Sequence, residues 1–301
     1  MNYLITGATG FIGSKLVNAL LSAGDRVNYL GRSRSKSLDS RAAFHCWNAG
    51  EKPPLNSVPR LDAVIHLAGE PIAQRWTPEA RKRIYESRVV GTRDLVSAIG
   101  ELKHKPAVLV SASAIGYYGN RGDEILTEQS KPGSGFLADL CLQWEQEARQ
   151  AEEFGLRVVS IRIAMVLGQN GGALQKMLTP FRLGLGGKLG SGRQWMSWVH
   201  VDDLIKLFIF AAENEAVKGA LNGASSGPVT NAEFTKTLAG VLHRPAPWTV
   251  PQFVLKMAFG EMAEVLLDSA RVLPSAAEQA RFQFEYPGLR KALEASLGGR
   301  R

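Results

Sequence analysis

"NYLITGATGFIG", residues 2–13, decides the fold. A short strand-like run enters a glycine-rich turn, and the turn enters a helical stripe of Ile12, Leu16, Leu20 and Leu21 that Gly24 ends after Ala23. Gly7, Gly10 and Gly13 stand three residues apart between strand and helix. Glycine there permits a tight turn, close approach of the backbone to a pyrophosphate and close helix–strand packing, while free N–H groups at the helix start face the anion. The stretch therefore reads as a dinucleotide turn, with Gly7, Thr9, Gly10, Phe11, Ile12 and Gly13 as its lining.

Working outward, "RVNYL", "AFHCW", "AVIHLAG", "AVLVSAS" and "RVVSIRI" alternate with helical patterns. Such alternation predicts βαβ units in an α/β fold, a Rossmann-like doubly wound parallel sheet. The pattern assigns residues 1–165 to a cofactor-binding Rossmann domain and 166–301 to a smaller, mainly helical substrate lobe that can return segments to the main sheet. In that lobe Asn231 is the candidate N-cap of "TNAEFTKTLAGVL", and "VPQFVLKMAFGEMAEVLL" reads as a partly buried helix. The terminal "GGRR" reads as a frayed end.

The second strand bears on which dinucleotide fits. NAD sites usually offer a carboxylate to the ribose about 20 residues past the glycines. Here the strand ends "NYLGRSRS", with Gly31, Arg32, Ser33 and Arg34 and no acid. Arginine in that place holds a 2′-phosphate through charge-assisted hydrogen bonds, so NADP is the expected cofactor. A solvated loop charge is the alternative for both arginines.

Composition narrows the partners. The net charge of +8 is scattered, without a run of five or more basic residues, so no nucleic-acid partner is expected. No apolar run approaches the roughly 18 residues of a membrane span, and "MNYLITGATG" lacks a signal-peptide layout. No membrane partner and a cytoplasmic location are the expectations. Cys46 and Cys141 are far apart and read as buried, reduced thiols. No histidine–acid grouping has metal spacing, and a homo-oligomer is left open.

"TGATGFIG", then "HLAG" at 66–69 and "VSAS" at 110–113, resembles the extended short-chain dehydrogenase/reductase superfamily, which includes sugar-nucleotide epimerases and reductases. "AGEPIAQRW", "ESRVVGTRDLV", "GFLADLCLQWEQEA", "PFRLGLGGKLGSGRQ" and "ALNGASSGPVTNAEF" look more like one atypical, poorly characterised epimerase-like branch, over nearly the whole chain. The resemblance implies that Leu67, Ala68, Gly69 and Ser111 line the cofactor and that Ser113 polarises the substrate. In the superfamily a tyrosine four residues before a lysine moves the proton, one helical turn placing both on one face. Aligned through Glu145, those positions hold Leu137 and Cys141, which cannot do that chemistry in the usual way. Where members often carry asparagine before "Val-x-Gly-Thr", this chain has Arg88. Arg88 then binds cofactor phosphate or ribose, or an anionic substrate group, or else forms an ion pair with an acid such as Glu70.

Replacement chemistry has several candidates. Tyr117 and Tyr118 follow Ser113 at the strand's carboxyl end, and either phenol can serve as proton donor or as core packing. Glu70 suits a ribose hydroxyl, a base or an arginine partner, with Arg75 and Trp76 close behind. Arg193, Gln194, Trp195 and Trp198 suit a substrate lid or plain packing. His200 and His66 read as satisfied core residues, and Asp202 or Asp203 as a helix cap. Two functions follow: an NADP-dependent oxidoreductase or epimerase-like enzyme acting on a small molecule, or a non-catalytic NADPH-binding regulator.

Overall fold

In the computed structural model, which describes residues 1–48 and 50–298, Asn2–Thr6 (β1) is buried along its whole length. It pairs in parallel with Arg26–Gly31 (β2) on one side and, beyond Ala43–Cys46 (β3) in sequence, with Ala63–His66 (β4) on the other. Val108–Ala114 (β5), Arg157–Ile163 (β6) and Gly219–Gly223 (β7) extend the sheet. The spatial order is β7-β6-β5-β4-β1-β2-β3, and every pairing is parallel. Buried on both faces, such strands read as near-continuous apolar runs, which is why they were visible in the sequence. The order reverses between β1 and β4, and the crevice outside their carboxyl ends is the place where this architecture binds ligands.

Phe11–Ser22 (α1) follows the glycine turn. Pro78–Tyr85 (α2) is capped by Thr77 and continues through a π-helical turn, Glu86–Val90, into Gly91–Gly100 (α3). Phe136–Arg149 (α4) packs Leu140 and Trp144 against the sheet core. Residues past 165 supply both Gly172–Arg182 (α5) and Val201–Glu213 (α6); α6 buries Leu204, Leu207 and Phe208 against the main sheet before the chain enters β7.

A separate apolar cluster of Leu174, Phe181, Trp198, Phe234, Leu238 and Leu293 joins α5 to Asn231–Leu242 (α7). Thr230, not Asn231, caps α7. Its hydroxyl accepts from the Glu233 amide, and the Glu233 carboxylate accepts from the Thr230 amide, a reciprocal box. Asn231 instead accepts from the Leu189 amide. The expected helix over residues 250–267 is broken. Gln252–Phe259 (α8) ends at Gly260, whose φ of 61° a side chain resists, and a short helix resumes at Ala263–Leu267 (α9). Leu255 of α8 is buried, as are Met262 and Ala263 beyond the break, so the segment is partly buried with its other apolar side chains toward the surface. Of the terminal "GGRR", residues 299–301 lie outside the described residues.

Candidate functional site

The turn between β1 and α1 has little room. Gly7 adopts φ +70°, and a Cβ there would lie 2.6 Å from the Leu67 carbonyl. A Cβ on Gly13 would lie 2.2 Å from Gly7 O. Both positions therefore require glycine, and α1 starts at Gly10 with no side-chain cap and no acid in its first turn. Its N-terminus is left open to an anion. Thr9 and Gly10 are exposed, Phe11 and Ile12 half-buried. The Gly168–Gly172 loop closes on the Phe11 ring so tightly that a Cβ on Gly171 would lie 2.2 Å from it.

Beneath the turn, Thr6 Oγ1 accepts from the Leu67 and Ala68 amides and meets His66 Nδ1 at 2.6 Å. His66 Nε2 meets Thr92 Oγ1 at 3.0 Å. Burial, and secondarily the Arg88 charge, hold His66 down at about 4, so it is a neutral strut between strand and helix. Gly69 and its neighbours lead over the crevice. At the end of β2, Arg32, Ser33 and Arg34 are exposed, and neither arginine has an ion-pair partner among the described residues. An open anion turn, an unpaired Arg32 and no acid at the strand end fit a dinucleotide with a 2′-phosphate.

Arg88 is carried on the π-helical turn, a feature frequent at functional sites. Its guanidinium lies directly under Gly69, over the Trp144 ring at 5.2 Å, and donates from Nη1 to the Glu70 carbonyl at 2.8 Å. The Glu70 side chain pairs instead with Arg83 and accepts from Gln74, so no Arg88–Glu70 ion pair forms.

Ser113 lies at the crevice end of β5 in an unforeseen polar network. Parallel register places Ser113 beside Arg162, and Arg162 beside Asn222, across β5, β6 and β7. Ser113 Oγ donates to Glu145 Oε1 at 2.7 Å, from α4. Arg162 clamps the same carboxylate twice, Nε to Oε1 at 2.8 Å and Nη2 to Oε2 at 2.9 Å. Arg162 Nη1 donates to the Tyr118 hydroxyl, which donates to Asn222 Oδ1. An ionised carboxylate only accepts, so Ser113 presents lone pairs, not its proton, to its other neighbours.

This network separates the two tyrosines. Tyr118 is fully buried, its hydroxyl is committed, and burial pushes it up to about 12, so it is a brace and not the expected proton donor. Tyr117 packs edge-on against it, with the Arg162 guanidinium 3.4 Å from its ring centre. Its hydroxyl has no protein partner among the described residues. Leu137 packs on Gly116, and burial together with the Glu145 charge pushes the Cys141 thiol up to about 12, so the tyrosine and lysine positions hold no titrating group near neutrality.

Other expectations change too. Ser111 is buried, and its hydroxyl donates to the Ala112 carbonyl. Trp198 is buried and donates to the Gly227 carbonyl, and Gln194 ties Leu189 to Leu266. They are packing; only Arg193 and Trp195 of that group reach the surface. The cap of α6 is His200, which accepts from the Asp202 amide, while Asp203 receives the Glu285 and Tyr286 amides. Cys46 is exposed at the end of an edge strand, not buried. Among the described residues no helix is long and apolar enough to cross a membrane, and no three metal-ligating side chains group together.

Comparison with known proteins places these features. Residues 3–222 match the NAD dependent epimerase/dehydratase family, and residues 250–296 match a domain of unknown function, DUF1731. The chain is 41% identical over 294 residues to an epimerase family protein of Staphylococcus haemolyticus, covering 97% of each. It is 42% identical to a chloroplastic SDR39U1 homolog of Arabidopsis thaliana, over 99% of this chain and 87% of that one. The crystal structure of the human epimerase family protein SDR39U1 (isoform 2) with NADPH superposes with a TM-score of 0.90, at 32% identity and full coverage of both chains.

Proposed function

Because the chain belongs to the NAD dependent epimerase/dehydratase family, we propose that it is an NADP(H)-dependent oxidoreductase or epimerase-like enzyme acting on a small molecule. The carrying observation is the exposed, unpaired Arg32 at the end of β2, beside an anion turn and without a carboxylate rival. The human relative crystallised with NADPH supports the same cofactor. Gly7, Gly10 and Gly13 would receive the pyrophosphate, Arg32 and Ser33 the 2′-phosphate, and Gly69 would lie along the dinucleotide. When bound, a nicotinamide supplies hydride transfer to or from a carbonyl or carbinol carbon.

The chain's own groups then handle oxygen and proton. Ser113, oriented by Glu145 and Arg162, receives a substrate hydroxyl as hydrogen-bond acceptor. In the reductive direction Tyr117 gives the proton to the carbonyl oxygen, since its hydroxyl alone of the two tyrosines is uncommitted, and the hydroxyl so formed donates to Ser113; in the oxidative direction the proton returns by the same route. Arg88 supplies positive potential under Gly69, and exposed Arg75 receives an anionic group on the substrate. The second reading, a non-catalytic NADPH-binding regulator, draws on Leu137 and the inert Cys141 thiol.

One experiment separates them. NADPH deuterated at the transferable C4 position is incubated with the protein and a cell metabolite extract, and products are searched by mass spectrometry. Deuterium in a new product supports the enzyme. No label, with NADPH binding verified in the same sample, favours the regulator.

A further inference from the structure

The exposed large apolar side chains concentrate in two segments of the second lobe. Leu183 and Leu185 are 69% and 60% exposed; Trp248, Phe253 and Met257 are 57%, 67% and 71% exposed. The parallel pairing of Gly187–Leu189 with Trp248–Val250, and the approach of Gly184 to Pro245, hold the segments side by side. Large apolar side chains exposed together on neighbouring segments mark an interaction surface. The α8 helix buries Leu255 and half-buries Val254, and it leaves Phe253 and Met257 exposed.

A hollow of about 260 Å³ adjoins the face, lined by Lys188, Thr235, Lys236, Ala246 and Trp248 among others and by no acid. Arg182, Lys236 and Arg244 are exposed and, with Lys188, form no ion pair among the described residues. The charged side chains of the hollow itself, Lys188 and Lys236, are thus of one sign, and the Glu233 carboxylate on the same helix is held in the α7 capping box by Thr230. Two copies meeting through this face would bring like charges together, which opposes self-association. Aromatic and aliphatic side chains standing out beside unpaired lysines and arginines match the chemistry of an anionic lipid surface.

We propose that this face docks peripherally on an anionic membrane: Leu183, Leu185, Trp248, Phe253 and Met257 enter the headgroup–acyl boundary, and Lys188 and Lys236 hold a lipid phosphate in the hollow between them. The sequence expectation of no membrane partner rested on the lack of a spanning segment. Peripheral docking requires none. The proposal is independent of the hydride chemistry, and the crevice and the docking face use different residues.

The test is co-sedimentation of the full chain with vesicles. One set contains about one-third phosphatidylglycerol in phosphatidylcholine, the other phosphatidylcholine alone, both at low ionic strength. Pelleting is expected with the anionic set only and is expected to vanish at high salt. Each cation near such a surface is worth about a factor of five, so Lys188→Ala with Lys236→Ala weakens binding about 25-fold. Phe253→Ser with Met257→Ser removes apolar insertion at exposed positions and lowers binding at least about tenfold. No pelleting with anionic vesicles overturns the proposal. So does equal pelleting with neutral ones, or either double variant binding like the parent. A dimer in sedimentation velocity that the Phe253/Met257 variant dissociates also overturns it, by assigning the face to a second copy.

Discussion

Replacing Arg162 with leucine strips the Glu145 carboxylate of both guanidinium bonds, at 2.8 and 2.9 Å, and leaves it buried with Ser113 as its remaining donor. Both side chains of the pair are about 5–6% exposed, so water cannot take the place of the lost donors. Breaking a buried pair by removing one partner costs about 3–5 kcal/mol. Unfolding entropy near about 2.1 cal/mol/K per residue gives about 0.6 kcal/mol/K for 301 residues, so Tm falls by about 5–8 °C. Calorimetry and urea unfolding measure both. The double variant Arg162→Leu with Glu145→Leu removes the orphaned charge along with its partner and is expected to recover all but about 1–2 kcal/mol. A single-variant loss below about 1 kcal/mol, or a double variant no better than the single, would show that the network is wetter and weaker than its geometry implies.

His66 predicts an acid-side instability. Its folded value of about 4 lies below the ordinary 6.5, so between those pH values the unfolded chain takes up a proton that the folded chain refuses. The increment is complete above pH 6.5, is lost as pH falls toward 4, and amounts to about 3 kcal/mol. Urea midpoints across that window check it; a His66→Gln variant without a shallower decline would contradict it. For the tyrosines, Tyr117→Phe is expected to lower deuterium transfer by at least about 100-fold. Tyr118→Phe is expected to cost about 1–2 kcal/mol of stability and leave transfer within a few-fold. The reverse pattern in the labelling and unfolding assays would exchange their roles.

The fold was legible because its signals are local. Residues 2–13 carry strand, turn and helix within one short stretch, and the close approaches at Gly7 and Gly13 give the reason for glycine. The polar network was not, because it is assembled from strand register: Ser113, Arg162 and Asn222 are adjacent only across three strands. One signal was present, an arginine inside "RVVSIRI", since a buried guanidinium demands a carboxylate. Tyr117 and Tyr118 are neighbours in the chain, so no periodicity could tell the committed hydroxyl from the free one. In "VPQFVLKMAFGEMAEVLL" apolar composition pointed to one partly buried helix; the segment is partly buried, but the positive φ at Gly260 divides it in two.

The central claim is a phosphate turn selective for NADP(H) through Arg32, and equilibrium binding of NADPH and NADH to the parent chain and to Arg32→Ala tests it most directly. Preference for NADPH in the parent, with an NADPH loss of about 1–3 kcal/mol and unchanged NADH affinity in the variant, is the predicted result. Equal losses for both dinucleotides, or none for either, would contradict it.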